Sequence, residues 1–494
     1  MNEQFIQPSP WIIGYTIVFI LISMGIGFYA SKYAKTAEQF FGGTKMFGGV
    51  TIGLASMAAV MSAFGFIGGP GLVYKFGMSS IWMTIACGPG MAYGYWILAK
   101  RMRGMADVTD VATLPDIARV RFNSQAVRAV LAIGLFLAAI SYLSSQVIGG
   151  GILMNQMLGV SNEWGIVIMF GTTVAYMIFS GMSGSILTDA FQGFVMLIAV
   201  IAVLVGFFMM TGGDLTPIMN SPQFGPSFVD GFGSMPLQAA LVFGLIFFVG
   251  AMGQPTMLAK MYSLKTPQDI KKAGVIGGLS YGVTSIVWIL CGYGALYIVA
   301  TGASPALAKA DNAAFLFVSK LGGVTQALVM AGLLAAIVST SSFFISLSSS
   351  AITRDLIGAF GHEIPHDKQI RIGQILQVIV PLIAIGMGLW GGRMVAILGA
   401  LGWGFFASVT IPTFAIGMLW KRCSTEGILT GLVFAVISNP AYLILENLKI
   451  FRFPFAGYLF CVAGAVVLTV VVSLFTKTSA GDNMPKALKP IFKL

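Results

Sequence analysis

Charge is what this chain has least of. Only 9% of its 494 residues are Asp, Glu, Lys or Arg, while 57% are apolar; a soluble domain carries roughly 25% charge. So little charge cannot cover a water-facing surface, and a polytopic membrane protein in a lipid bilayer is implied. Histidine is scarce too, with His362 and His366 the only two. Neither lies in an apolar run, which excludes a Ser-His-Asp hydrolase. Pro365 between them prevents the regular helix that would align the pair on a metal, so a solvated loop is the better reading. The four cysteines, Cys87, Cys291, Cys423 and Cys461, sit in apolar runs or at a helix end and imply no disulfide framework. The net charge of +11 comes from 28 Lys and Arg against 17 Asp and Glu, spread thinly between the apolar runs. That spread suits cationic loops held on one side of a membrane, and no nucleic-acid partner is expected.

What is abundant is apolar length. Runs that can span a bilayer, roughly 20 residues each, fall near 10–30, 47–74, 78–99, 126–154, 164–181, 186–211, 235–258, 273–300, 322–351, 373–391, 394–419, 425–445 and 455–476. About thirteen transmembrane helices are therefore expected. With the N-terminus outside, 22 of the 28 Lys and Arg fall on the cytoplasmic side, Lys260, Lys265, Lys271 and Lys272 among them, and 6 outside. That bias and the odd count predict an external N-terminus and a cytoplasmic C-terminus. No basic residue precedes the first run, which reads as a retained helix rather than a signal peptide. The longest polar connections, 212–234, 301–313, 355–371 and 477–494, are too short to fold alone. The expectation is one transporter-like domain over 1–494 whose function lies within the membrane.

Two features point to that function. Residues 336–350 place Ser339, Thr340, Ser341, Ser342, Ser346, Ser348, Ser349 and Ser350 inside an apolar segment. Hydroxyls on one face of a membrane helix can replace the water around a sodium ion, although bonds to their own preceding turn and close helix packing are also compatible. The second feature is a pair of interruptions. Gly65, Gly68, Gly69, Pro70 and Gly71 follow Ser62 in the second run, and Gly250, Gly253 and Pro255 bracket Gln254 in the seventh. The runs are five apart, which suggests broken helices at matching places in two five-helix repeats. Kinked packing helices remain the alternative.

Three segments together carry a family resemblance. The stretches ASMAAVMSAFGFIGGPGLVYKFG (55–77), SGMSGSILTDAFQG (180–193) and LLAAIVSTSSFFISLSSSAITRDL (333–356) resemble the sodium:solute symporter family over essentially the whole chain. The Gly253-Gln254-Pro255 triplet is similar to that of bacterial proline symporters, and the second run is closer to the pantothenate symporters. The resemblance implies an all-α, five-plus-five inverted repeat like that of the leucine transporter. It has an extra helix at 10–30, repeats at 47–211 and 235–419, and two C-terminal helices at 425–476. It also implies sodium between core helices one and eight, held by the carbonyls of Ala58, Met61 and Ala336 and the hydroxyls of Ser339 and Thr340. Ala336, Ser339 and Thr340 are three to four apart, so they share one helix face.

Asp189, a carboxylate just inside an apolar run, reads as an ion site or gate, or as a solvated helix start. Some relatives hold a second sodium beside this aspartate. Here Ser342 matches one further hydroxyl, but Phe343 replaces another, so one sodium is expected. The resemblance lines the solute pocket with Ser62, Phe64, Tyr142, Gln146, Phe247, Ala251 and Gln254. Phe247 and Ala251 stand where proline symporters carry tryptophan and tyrosine. With no Lys or Arg expected in the middle of a span, a small monocarboxylate, amino acid or pantothenate-like acid is favoured. The chain is thus expected to be a multi-pass sodium symporter of the cell (inner) membrane and not an enzyme, its oligomeric state left open and compatible with a monomer. A solute sensor acting with a signalling partner and a passive channel are the rivals, the latter lacking a continuous polar pore.

Overall fold

The computed structural model describes residues 4–43, 45–362, 364–391, 395–450, 456–478 and 486–492; Glu363, beside the two histidines, lies outside them. It is all helical. The chain runs through α1 (Pro10–Ser31), α2 (Ala37–Gly42), α3 (Gly49–Val60), α4 (Gly69–Phe76), α5 (Ile81–Gly94), α6 (Lys100–Val108), α7 (Leu114–Phe122) and α8 (Gln125–Leu158). It continues with α9 (Asn162–Met177), α10 (Gly181–Thr211), α11 (Thr216–Met219), α12 (Leu237–Met252), α13 (Pro255–Met261), α14 (Asp269–Ala300), α15 (Ala313–Ser319) and α16 (Gly323–Ser350). The last elements are α17 (Ile357–Ala359), α18 (His366–Gly391), α19 (Val395–Thr410), α20 (Gly417–Leu419), α21 (Thr425–Asn447), α22 (Ala456–Phe475) and α23 (Lys489–Phe492). Local chemistry sets several ends. The hydroxyls of Ser9, Ser124 and Ser161 accept from the first-turn amides of α1, α8 and α9, and Gly159 and Gly212 close α8 and α10 in the left-handed region, as capping physics requires.

The expected thirteen spans are a miscount. Among the described residues nine helices are long and apolar enough to cross a bilayer, or ten if one bent pair is taken as a single span. The other four apolar runs are not continuous spanning helices. The runs at 47–74 and 78–99 share the bent pair, which turns by 56° between Val60 and Phe64. The run at 164–181 forms the 16-residue α9, and that at 235–258 is split into α12 and α13. Apolar length alone does not show where the backbone leaves its hydrogen-bond ladder. Nine is odd and ten is even, so the count no longer fixes the placement of the two termini.

Both expected breaks are present. α3 stops at Val60, and Met61 is extended (φ −70°, ψ 128°) before a π-helical turn over Phe64–Gly68. α12 stops at Met252, Gln254 is extended (φ −64°, ψ 123°), and Pro255 starts α13. The first broken helix presents bare backbone to the Trp288 indole of α14: a Cβ on Gly65 or Gly69 would fall 2.8 or 2.7 Å from it. At the centre stands α16, packed by α1, α3, α8, α10 and α18. Some 94% of its most apolar stretch is buried, so its hydroxyls face protein and not lipid.

At one end of the bundle a buried ion-pair network ties α7, α8 and the π-helical turn after α16. Asp116 receives Arg128 and Arg354, each at 2.8 Å, and Asp355 receives Arg128 at 3.2 Å and the Thr113 hydroxyl at 2.7 Å. Elsewhere, Asp311, in the connection before α15, accepts the first amide of α19, from Val395, at 3.1 Å.

Candidate functional site

The break after α3 is held open by α8. In an unbroken helix the amide of Ala63 would bond the carbonyl of Ala59. Here it donates instead to Gln146 Oε1 at 3.0 Å, and the Phe64 amide turns to the Ser62 hydroxyl at 3.2 Å, itself 2.8 Å from the Tyr142 hydroxyl. Carbonyl oxygens at the end of α3 are thereby released towards α16.

Two hydroxyls of α16 meet them. Ser339 Oγ lies 2.8 Å from the Ala58 carbonyl and 3.2 Å from that of Ala336. Thr340 Oγ1 lies 2.7 Å from the Met61 carbonyl, 3.0 Å from that of Ala336 and 3.2 Å from that of Ala59. All five residues named from the sequence converge, and Ala59 joins them. The hydroxyls do bond their own preceding turn, but they bond α3 as well. Each has a single proton to donate, so four carbonyls and two hydroxyls share two hydrogens. This cluster is rich in acceptors and buried, the environment a small hard cation seeks.

Asp189 is no solvated helix start. It is fully buried on α10, accepting from Ser342 at 3.1 Å and Ser185 at 3.3 Å. Ser342 is also 2.9 Å from the Ser339 carbonyl, so one hydroxyl links this carboxylate to the first cluster. Its main partner is a lysine buried among the helices, where no Lys or Arg was expected. Lys260, counted above among loop residues, is fully buried on α13 and donates to Asp189 Oδ2 at 2.9 Å and to the Ala55 carbonyl at 2.7 Å. The signal was there, because Lys260 follows Pro255 by five residues with apolar neighbours on both sides. A lysine so near a break is easily taken as the start of a loop.

Five of the seven residues expected around the solute fall into two groups. Ser62, Tyr142 and Gln146 form the hydrogen-bonded group already described. Phe64 and Phe247 stack with ring centroids 6.0 Å apart, flanked by Trp288 at 5.8 Å from Phe64 and Trp403 at 5.5 Å from Phe247. Both phenylalanines are nearly inaccessible, at 3% and 4% exposure, so the region is closed. Ala251 instead packs towards Gly90 of α5, and Gln254 sits buried in the second break with no hydrogen bond to Ser62, Tyr142 or Gln146. Sequence reasoning missed both tryptophans. Their indole N–H groups, and the Gln254 side-chain amide nitrogen, are buried without an acceptor among the described residues.

Comparison with known proteins agrees with this architecture. The model of the sodium:solute symporter family matches residues 40–435. The osmoregulated proline transporter OpuE of Bacillus subtilis (strain 168) is 26% identical over 423 residues, covering 84% of this chain and 85% of that protein. A sodium/proline symporter of Staphylococcus aureus (strain JH9) is 27% identical over 444 residues, covering 84% and 82%. Among solved structures, a sodium-coupled sialic acid symporter in a substrate-bound outward-open state superposes with a TM-score of 0.76 at 15% identity, over 95% of this chain and 99% of that one. The nucleobase-cation-symport-1 transporter MHP1, in a closed conformation, gives 0.53 at 13% identity over 91% and 97%. These likenesses establish an all-α, inverted-repeat fold in place of the thirteen-span arrangement. From the family match over most of its length, the chain belongs to the sodium:solute symporter family and is a multi-pass membrane protein of the cell (inner) membrane that couples sodium to the transport of a small organic solute, not an enzyme.

Proposed function

We propose that sodium binds among the carbonyls of Ala58, Met61 and Ala336 and the hydroxyls of Ser339 and Thr340, and that the solute is a small monocarboxylic acid of the amino-acid class. The solute lies between the Ser62, Tyr142 and Gln146 group and the rings of Phe64, Phe247 and Trp403. The observation that carries this reading is a complementary imbalance. Acceptors outnumber donors where α3 meets α16, which suits a cation. Donors without acceptors, on Trp288, Trp403 and Gln254, lie by the aromatic stack and in the neighbouring break, which suits carboxylate oxygens. The proline transporters among the relatives support an amino or imino acid.

The two breaks fall in the first helix of each proposed repeat, 47–211 and 235–419, and both ligands border the first of them, sodium at Ala58 and Met61 and the solute at Ser62 and Phe64. Sodium couples to solute through differential affinity for the two access states. With roughly 100 mV and a tenfold sodium gradient, one ion supplies about 3.7 kcal/mol.

Sodium-gradient-driven uptake into proteoliposomes tests the reading, with proline, other amino acids and simple monocarboxylates offered beside their amides. Acids should be taken up and amides excluded. Equal uptake of an acid and its amide refutes the carboxylate assignment, and uptake that persists in choline without sodium refutes the ion site.

A further inference from the structure

The ion-pair network of Asp116, Arg128, Arg354 and Asp355 frames a polar cavity of about 420 Å³. Its wall carries Arg119, Arg128, Thr353, Arg354, His362 and His366, so three arginines and both histidines of the chain meet in one space. The arginines are only partly committed. Arg128 donates through Nε to Asp355, and through Nη2 to Asp116 and, at 3.1 Å, to the Arg354 carbonyl. Arg354 donates through Nε to Asp116 and, at 3.4 Å, through Nη1 to Glu38. Nη1 of Arg128 and Nη2 of Arg354 are left without a hydrogen-bond partner among the described residues. Gly358 leaves room beside that Arg128 nitrogen, from which a Cβ would lie 3.0 Å. Arg119 reaches Asp116 only at 3.6 Å. The hydroxyl of Thr353, a residue 2% exposed, also has no partner among the described residues.

The carboxylates are set deeper. Asp116 and Asp355 are 1% and 0% exposed, behind the guanidiniums. Glu38 is the accessible one, and Arg354 and His366 stand against it at 3.4 and 3.8 Å. An imidazole offers at least one N–H donor in either protonation state, so donors in want of acceptors surround the space, the inverse of the sodium cluster. Guanidinium forks match phosphate oxygens in both geometry and charge. The basic residues gathered at this end, Arg119, Arg121, Arg128, Arg354, Lys368 and Arg371, argue for the cytoplasmic side. We propose that the cavity binds one phosphate group at the cytoplasmic face, held by Arg119, Arg128, Arg354 and Thr353 with the histidines at its mouth. The group fastens α7 and α8, the latter carrying Tyr142 and Gln146, to the turn after α16, the helix of Ser339 and Thr340. A free phosphate ion and the headgroup of an anionic phospholipid share this chemistry. The inference does not depend on which solute is carried.

Equilibrium binding of radioactive inorganic phosphate to the purified full chain is the test, beside thermal unfolding in phosphate and in chloride of equal ionic strength. Wild type should bind one phosphate and melt at a higher temperature in phosphate than in chloride. Arg119→Gln, at the rim with 34% of its side chain exposed, should fold normally and bind about tenfold more weakly, the loss of a charge-assisted hydrogen bond. Glu38→Gln removes the accessible negative charge and should bind more tightly, which a purely structural network would not do. Melting in phosphatidylcholine vesicles with and without phosphatidylglycerol tests the lipid source. Stabilisation by phosphatidylglycerol that Arg119→Gln loses supports a headgroup in the cavity, and phosphate binding that Arg119→Gln weakens supports the free ion. A wild type that responds to neither, responses unchanged in Arg119→Gln, or weaker binding in Glu38→Gln overturns the proposal.

Discussion

The rings of Phe64 and Phe247 lie within 6° of parallel, joining the π-helical turn after the first break to the helix that ends at the second. The two discontinuous helices therefore touch ring to ring where the solute is proposed to sit, and any opening of this region must part them. A stacked pair contributes about 0.5–1.5 kcal/mol beyond its buried area. Phe247→Ala should shift the balance away from the closed form and raise the solute concentration for half-maximal uptake about two- to tenfold at saturating sodium. Unchanged solute dependence would show that the stack does not close the pocket.

Thr340→Ala should weaken sodium more than Ser339→Ala does, because Thr340 lies against three carbonyls and Ser339 against two. The loss of one net hydroxyl interaction, about 1 to 1.5 kcal/mol, corresponds to roughly a fivefold to tenfold rise in the sodium concentration for half-maximal uptake. Surface expression should stay near wild type. Sodium titrations of uptake check both points, and an unaltered midpoint in both variants removes the site.

Asp116 is 1% exposed and receives two arginines at 2.8 Å. Asp116→Ala takes one carboxylate from each, leaving Arg128 with Asp355 at 3.2 Å and Arg354 with Glu38 at 3.4 Å, and breaking buried pairs in this way costs up to about 3–5 kcal/mol. The apparent melting temperature in detergent should fall steeply, whereas Arg119→Gln, whose contact with Asp116 is longer at 3.6 Å and whose side chain is 34% exposed, should hardly move it. Equal losses in the two variants contradict the network.

Asp311 carries a pH dependence. Burial raises its carboxyl pKa to about 6, against the lowering pull of the Val395 amide and Lys309. A raised carboxyl pKa means that the folded chain holds a proton that the unfolded chain releases. The resulting stabilisation is full below the unfolded value of 3.8 and is lost as pH rises through about 6. Its size is about 3 kcal/mol. Asp311→Asn keeps an acceptor for Val395 but cannot titrate, so the stability of wild type relative to Asp311→Asn should decline between pH 5 and pH 7. Thermal unfolding at the two pH values checks this, and a constant difference rules it out.

The sequence made legible whatever depends on local chemistry. Pro70, Pro255 and the glycines beside them announced both breaks, and the spacing of Ala336, Ser339 and Thr340 announced one shared face. Span count was not legible: Gly253, Gln254 and Pro255 mark a break in the run at 235–258, but only the structure shows that it leaves two separate helices. Lys260 was misplaced for a related reason. A lone lysine at the end of an apolar run looks like a membrane boundary, and only its partner 71 residues away on α10 reveals it as interior. Trp288 and Trp403 were hidden because an indole inside an apolar run gives no clue in one dimension to the ring it will meet.

The contact of Gly65 and Gly69 with Trp288 bears on how the closed form is left. Helices normally interlock by seating side-chain ridges in grooves, and tilting one against the other means lifting each ridge clear. The first broken helix has no ridge at these two positions, one turn apart, and rests its bare backbone on a flat indole. At these two positions that surface can work as a bearing, while Val73, one turn further on, seats at Gly292 as an ordinary knob. A methyl added at either glycine would act as a detent, holding the helix at one angle and slowing every turnover alike, whichever solute is carried.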